Sequence, residues 1–139
     1  DSIADQAHSG QTDKIGRPYI THPRRVAFAV RKLAPENMRV EAQIVALLHD
    51  TVEDTGVTLD YLARYFSVSI VDAVDAKRKG ETLEQSIARV RANELARLVK
   101  HADIADNTDP ERTALLDEET RERLAKKYAK SLTLLSLGE

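Results

Sequence analysis

Four ionisable side chains close an apolar run in the segment Ile44-Val45-Ala46-Leu47-Leu48-His49-Asp50-Thr51-Val52-Glu53-Asp54-Thr55, and this junction is where the sequence could do chemistry. The apolar part reads as a helix buried on most of its sides, so its end lies inside the protein. His49, Asp50, Glu53 and Asp54 would each be costly to bury there without partners, and a bound cation is the economical compensation for such a carboxylate-rich cluster. Two further residues can join them. His22 stands just before Pro23, which suits a first helical turn, so its imidazole is offered from a helix start. Asp103 and Asn107 are four apart and share a helix face beside the stripe of Leu95, Val99 and Ala102, so they lean toward the core. Asp103 taken alone reads as a solvated carboxylate near a helix end; a second acidic cluster turns it into a candidate ligand. Two imidazoles and two carboxylates, His22, His49, Asp50 and Asp103, suit a divalent ion such as Mn²⁺, Fe²⁺ or Co²⁺ in six-coordinate geometry with positions open to water. Such an ion lowers the pKa of bound water and neutralises charge on a phosphoryl group. The chemistry indicated is hydrolysis, most naturally of a phosphate ester or anhydride.

Composition narrows the setting. At 139 residues and 15.5 kDa the chain is expected to form one domain spanning residues 1–139, large enough to bury a core without disulfides or a structural metal. A formal charge of -2 with interspersed signs argues against a nucleic-acid surface or an acidic tail. The absence of cysteine excludes thiolate zinc sites and cysteine nucleophiles and fits a reducing compartment. The apolar runs fall far short of the roughly 20 residues that cross a bilayer, and no signal-peptide pattern opens the chain, so a soluble, cytoplasmic protein is expected. The opening Asp1-Ser2-Ile3-Ala4 has no initiator Met and reads as the interior of a longer polypeptide.

The elements that must hold these residues are helical throughout. Ile3, Ala4, Ala7 and His8 mark a first helix stopped by Gly10, and a loop over residues 11–17 leads into a helix with the stripe Val26, Ala27, Val30 and Leu33. The spacing predicts a third helix from Arg39 to Asp50. Thr58 caps a helix from Leu59 to Phe66 with Leu59, Leu62, Ala63 and Phe66 inward, and another runs from Val68 to Lys77. Thr82 and Gln85 form a capping box before Ile87 and Val90. A helix from Glu94 to Asn107, an Asp109-Pro110 start and a last helix from Glu118 to Leu137 complete the chain. No segment alternates with period two, so the fold is expected to be all-α.

Several motifs resemble one family in order. Ala7-His8-Ser9-Gly10-Gln11, Lys14, Gly16-Arg17-Pro18-Tyr19-Ile20-Thr21-His22-Pro23, Ala46-Leu47-Leu48-His49-Asp50 with Glu53-Asp54-Thr55, and Val99-Lys100-His101-Ala102-Asp103 with Asn107 resemble the HD-domain hydrolases of the RelA/SpoT type, nearest the small stand-alone alarmone hydrolases. The resemblance implies a compact helical HD-domain bundle around a central metal site. It places the metal ligands on His22, His49, Asp50 and Asp103, with Mn²⁺ the usual ion. It places a water-positioning and deprotonating pair on Glu53 and Asp54 and a nucleotide contact on Asn107. The reaction implied removes the 3′-pyrophosphate of guanosine tetra- or pentaphosphate, without a synthetase domain in these residues.

The residues agree with that assignment on their own terms. Glu53 lies about one helical turn beyond His49 and Asp50, so it can reach water at the ion without being a ligand. Lys14 could meet the substrate phosphates as a point charge. Arg17, Arg24 and Arg25 are possible phosphate contacts, each taken singly reading more often as a solvated charge; Arg17 is carried as a substrate-binding candidate. His8 is expected to pack near the site without binding metal, and His101, where the family commonly has an apolar residue, to be a partly buried helix histidine.

Two departures bear on the substrate. Asp13-Lys14-Ile15 stands where the alarmone hydrolases commonly carry Arg-Lys-Ser, whose arginine helps hold guanine; Asp13 can accept hydrogen bonds from a guanine edge but cannot stack on it. Val74-Asp75-Ala76-Lys77 replaces a Leu-Thr pair and shortens the approach to the basic turn. The alternative function is therefore hydrolysis of another nucleotide or a phosphorylated cofactor such as NADPH. A third reading, a non-catalytic module binding nucleotide or metal, has no need of the Glu53-Asp54 pair. In each the partner is a small-molecule nucleotide, not a nucleic acid or a membrane.

Overall fold

The computed structural model describes residues 1–76 and 80–137. Ten α-helices appear among them: α1 (Ser2–Ala7), α2 (Thr21–Leu33), α3 (Arg39–Leu48), α4 (Thr51–Asp54), α5 (Leu59–Ala63), α6 (Val68–Asp75), α7 (Leu83–Arg91), α8 (Glu94–Asn107), α9 (Pro110–Thr113) and α10 (Glu118–Leu135), with a 3₁₀ turn at Glu36–Met38 before α3. No strand occurs among the described residues; one isolated bridge, Thr12 to Pro18, closes the loop after α1.

The helix starts follow from local chemistry. Thr58 accepts from the Tyr61 N–H, Thr82 and Gln85 make the reciprocal capping box, and Asp109 accepts from the Glu111 N–H ahead of Pro110. α1 ends at Ala7 with His8 as its C-cap, so Gly10, expected to stop the helix, takes its left-handed φ of +83 in the turn beyond it.

Packing centres on α8, which touches α2, α3, α6, α7 and α10. Val26 and Val30 of α2, Val45 and Leu48 of α3, Val74 of α6, Ile87 of α7, Val99 of α8 and Leu135 of α10 are all buried in one core. Each such side chain contributes about 1.5–3 kcal/mol on burial. The α2–α3–α8 contact is also what brings His22, His49 and Asp103 to one place.

Some boundaries differ from the sequence expectation. α3 ends at Leu48, so His49 and Asp50 form the turn between α3 and α4 rather than a last helical turn. Leu33 is 50% exposed; the inward face of α2 continues from Val30 to Ala34, four residues on, and leaves Leu33 outside. α5 stops at Ala63, which is exposed, and α10 stops at Leu135. The expected helix end at Lys77 and the basic turn over residues 77–79 lie outside the described residues, and α6 is described to Asp75.

Candidate metal centre and cleft

His22 is the second residue of α2, His49 and Asp50 form the turn after α3, and Asp103 lies on α8; all four are buried. His49 Nδ1 donates to the Ala46 carbonyl oxygen at 2.5 Å, which turns Nε2 toward the carboxylates. That Nε2 is buried without a well-formed hydrogen bond and faces Asp50 Oδ2 at 3.2 Å and Asp103 Oδ1 at 3.4 Å. His22 Nε2 lies 2.8 Å from Asp103 Oδ1. One ligand atom each from His22, His49 and Asp50 lie within 4.8 Å of one another. Donors spaced this way bracket the edge of about 3 Å expected of an octahedron with bonds of about 2.1 Å. The mixed nitrogen and oxygen donors, one of them a buried nitrogen with no good hydrogen bond, fit a divalent cation.

Electrostatics points the same way. Burial opposes charge on His49, but the Asp50 and Asp103 carboxylates outweigh it and its pKa is pushed up to about 10. His22 is likewise raised, burial being overcome by hydrogen bonds to Asp103 and Asp106. Burial would raise Asp103, yet His22, His49 and Lys100 hold it well below the usual carboxylate range. The cluster without a cation thus keeps protons on its imidazoles, where a cation would supply the same positive charge.

His22, Asp50 and Asp103 of the cluster line a cleft of about 730 Å³. Glu53 and Asp54 of α4 line it, and so do Lys14, Lys100 and Asn107. Asn107 Nδ2 donates to Asp103 Oδ1 at 3.2 Å, and Lys100 Nζ pairs with Asp103 Oδ2 at 3.3 Å. Partial burial and the neighbouring charges of Arg123 and Lys127 lower the Lys14 pKa. Two expected site residues are outside the cleft lining, His49 and Arg17; the Arg17 side chain is exposed, and its backbone N–H donates to Asp13 Oδ1 at 3.0 Å. Arg24 pairs with Asp1 and Asp5 on the surface, and Arg25 with Asp106. His8 is buried, paired through Nδ1 with Gln11 Oε1 at 2.9 Å and packed on Tyr19, outside the ligand group; His101 is half-buried.

Asp13 lines the cleft and also has a structural task that its position did not suggest. Its Oδ1 accepts from the Ile15 and Arg17 N–H groups and so folds the loop, while Oδ2 faces Arg112 Nη2 at 3.7 Å. Residues that sequence reasoning passed over also reach the site. Tyr19 donates its hydroxyl to Asp50 Oδ2, and Asp106 meets His22 Nδ1 at 2.6 Å. Arg112, Leu124, Lys127 and Tyr128 line the cleft from α9 and α10. The i, i+3 spacing of Lys100, Asp103 and Asp106 was the available signal on α8; nothing local marks Arg112 or Lys127.

Comparison with known proteins bears on the whole chain. The chain is 35% identical over 140 residues to a probable GTP pyrophosphokinase of Mycobacterium leprae, covering 88% of this chain and 17% of that protein. It is 42% identical over 82 residues to a guanosine-3′,5′-bis(diphosphate) 3′-pyrophosphohydrolase of Haemophilus influenzae, covering 59% and 12%. A protein so named from Aquifex aeolicus is 33% identical over 132 residues, covering 89% and 18%. The chain therefore spans less than a fifth of the length of these relatives. A solved structure described as a metazoan ortholog of SpoT that hydrolyzes ppGpp superposes with a TM-score of 0.77 at 22% identity, over 97% of this chain and 82% of that one, and so shares its fold. The sequence profile described as HD domain matches residues 2–131, and the chain belongs to the HD-domain family.

Proposed function

We propose that this chain hydrolyses guanosine 3′,5′-bis(diphosphate) at its 3′-pyrophosphate in a reaction that depends on a divalent metal, Mn²⁺ in our reading. The observation that carries the proposal is the buried group of close ligand atoms from His22, His49 and Asp50, with Asp103 against both imidazoles and Glu53 and Asp54 lining the cleft that His22, Asp50 and Asp103 also line. The names of the relatives support the substrate, and those of Haemophilus influenzae and Aquifex aeolicus state that chemistry.

His22, His49, Asp50 and Asp103 would hold the cation, which supplies Lewis acidity toward water and the phosphoryl oxygens. Glu53 is half-buried in the cleft wall and takes the proton of the attacking water. The water oxygen bonds to the phosphorus carried on the 3′-oxygen, the bond from that phosphorus to the 3′-oxygen breaks, and the 3′-oxygen leaves and gains a proton. Guanosine diphosphate and pyrophosphate are the products. Asp54 at the rim orients the water, Lys14 and Lys100 face the phosphate charge, and Asn107 braces Asp103 through its amide while contacting the nucleotide.

The test is product analysis after incubating Mn²⁺-loaded protein with guanosine tetraphosphate, beside NADPH and simpler nucleotides. Release of intact pyrophosphate from the tetraphosphate supports the proposal. Phosphate release from NADPH or another nucleotide instead would keep the hydrolytic centre and replace the substrate. Silence across the panel with metal bound would overturn the enzymatic reading.

A further inference from the structure

We infer that Asp106 is the positioning residue that selects the metal-binding tautomer of His22. The inference rests on the cation site proposed above and assigns a role to a residue outside its ligand set. Asp103 and Asp106 are three apart on α8 and bracket one imidazole: Nε2 faces Asp103 Oδ1 at 2.8 Å and Nδ1 faces Asp106 Oδ2 at 2.6 Å. A neutral imidazole carries one proton, and an ionised carboxylate can only accept one. With a cation on the Nε2 side in place of the proton shared with Asp103, the contact with Asp106 keeps the remaining proton on Nδ1 and leaves the Nε2 lone pair directed at the ligand cluster, the arrangement by which a carboxylate beyond the ligands orients a metal-binding histidine.

The carboxylate is itself held fast. Its side chain is 8% exposed, Oδ1 accepts from Arg25 Nε at 2.8 Å, and Oδ2 accepts from Arg25 Nη2 at 3.2 Å. Arg112 Nε stands 3.8 Å from Oδ2 on another side. Arg25 lies three residues after His22 on α2, so one helix face presents both the ring and the fork that aligns its partner. The alternative is that Asp106 and Arg25 merely clamp α2 to α8, in which case the bond to His22 is incidental.

The experiment measures Mn²⁺ dissociation constants and thermal midpoints for the full chain, for Asp106→Asn, which keeps the shape and removes the charge, and for Arg25→Gln, which removes the clamp and spares the bond to His22. Expected are a 10–100-fold weaker affinity in Asp106→Asn and a distinctly smaller loss in Arg25→Gln, which leaves the carboxylate beside Nδ1. ¹⁵N spectra of the histidine rings of the Zn²⁺-loaded native chain test the tautomer directly, whether or not Asp106→Asn folds. Protonated Nδ1 on His22 supports the inference. A proton on Nε2 overturns it, as does native affinity in folded Asp106→Asn or an equal loss in both variants. A native chain that binds neither ion overturns the inference together with the cation site. The expected affinities in a chain inactive on guanosine tetraphosphate would support the inference and remove only the substrate.

Discussion

At the scale of single residues, Glu53 and Asp103 separate chemistry from binding. Glu53 lines the cleft without belonging to the group of close ligand atoms, so Glu53→Gln removes the base and spares the cation. Turnover is expected to fall by about 10²–10⁴-fold, with unchanged metal content by elemental analysis. Native turnover in that variant would take Glu53 out of the reaction. Asp103 is the opposite case, because its carboxylate touches His22, His49, Lys100 and Asn107 at once. Asp103→Ala leaves two raised imidazoles without their shared counter-charge and should lose most bound Mn²⁺, a result that metal content checks directly. Glu53 stood out in the sequence because it follows His49 and Asp50 at the end of an apolar run, whereas Asp103 stood out only once that first cluster was set beside it. The roles of Asp106, Tyr19 and Arg112 were not legible, because they come from contacts spanning 31 to 99 positions of chain. Arg17 was legible in type but not in direction: its backbone serves the loop while its side chain faces out.

At the scale of elements, caps were readable and breaks were not. Thr82 with Gln85 announces the start of α7 because each side chain satisfies the other's backbone N–H within four residues. The stop of α3 at Leu48 carries no glycine or proline; it is imposed by the burial of His49 and Asp50 against α2 and α8, which local propensity does not record. The loop after α1 is a third case. Asp13 reads as a substitute for a base-binding arginine, yet its Oδ1 receives the Ile15 N–H at 2.9 Å and the Arg17 N–H at 3.0 Å. Asp13→Arg therefore removes an acceptor of two backbone donors and sets a cation beside Arg112, at an expected cost of about 1–3 kcal/mol. Asp13→Asn keeps the accepting oxygen and should cost less. Urea denaturation of both variants checks this, and equal stability of Asp13→Arg and the native chain would return Asp13 to the substrate.

At the scale of the whole molecule, the buried cluster ties folding to protons and to metal. In the cation-free protein the His49 pKa stands at about 10 against its ordinary 6.5, and His22 is raised as well. Groups raised on folding stabilise fully below their unfolded pKa and lose that contribution as pH climbs through the folded value. Asp103, held below its ordinary 3.8, contributes above that value and is lost on acidification. The thermal midpoint of the chelated protein should therefore be highest in mildly acidic buffer, fall steadily from near neutrality toward about pH 10, and fall again in strong acid. A cation takes the place of the imidazole protons, so Mn²⁺ should stabilise more as pH rises and release protons as it binds. At a free concentration of 100 times its dissociation constant it adds about 2.7 kcal/mol, which for a chain of this size raises the midpoint by roughly 10 °C. Melting curves from acid to alkaline pH, with EDTA and with Mn²⁺, measure both effects. A chelated midpoint that rises between neutral and alkaline pH would mean that His49 is not held protonated by Asp50 and Asp103, and the charge balance assigned to the site would be wrong.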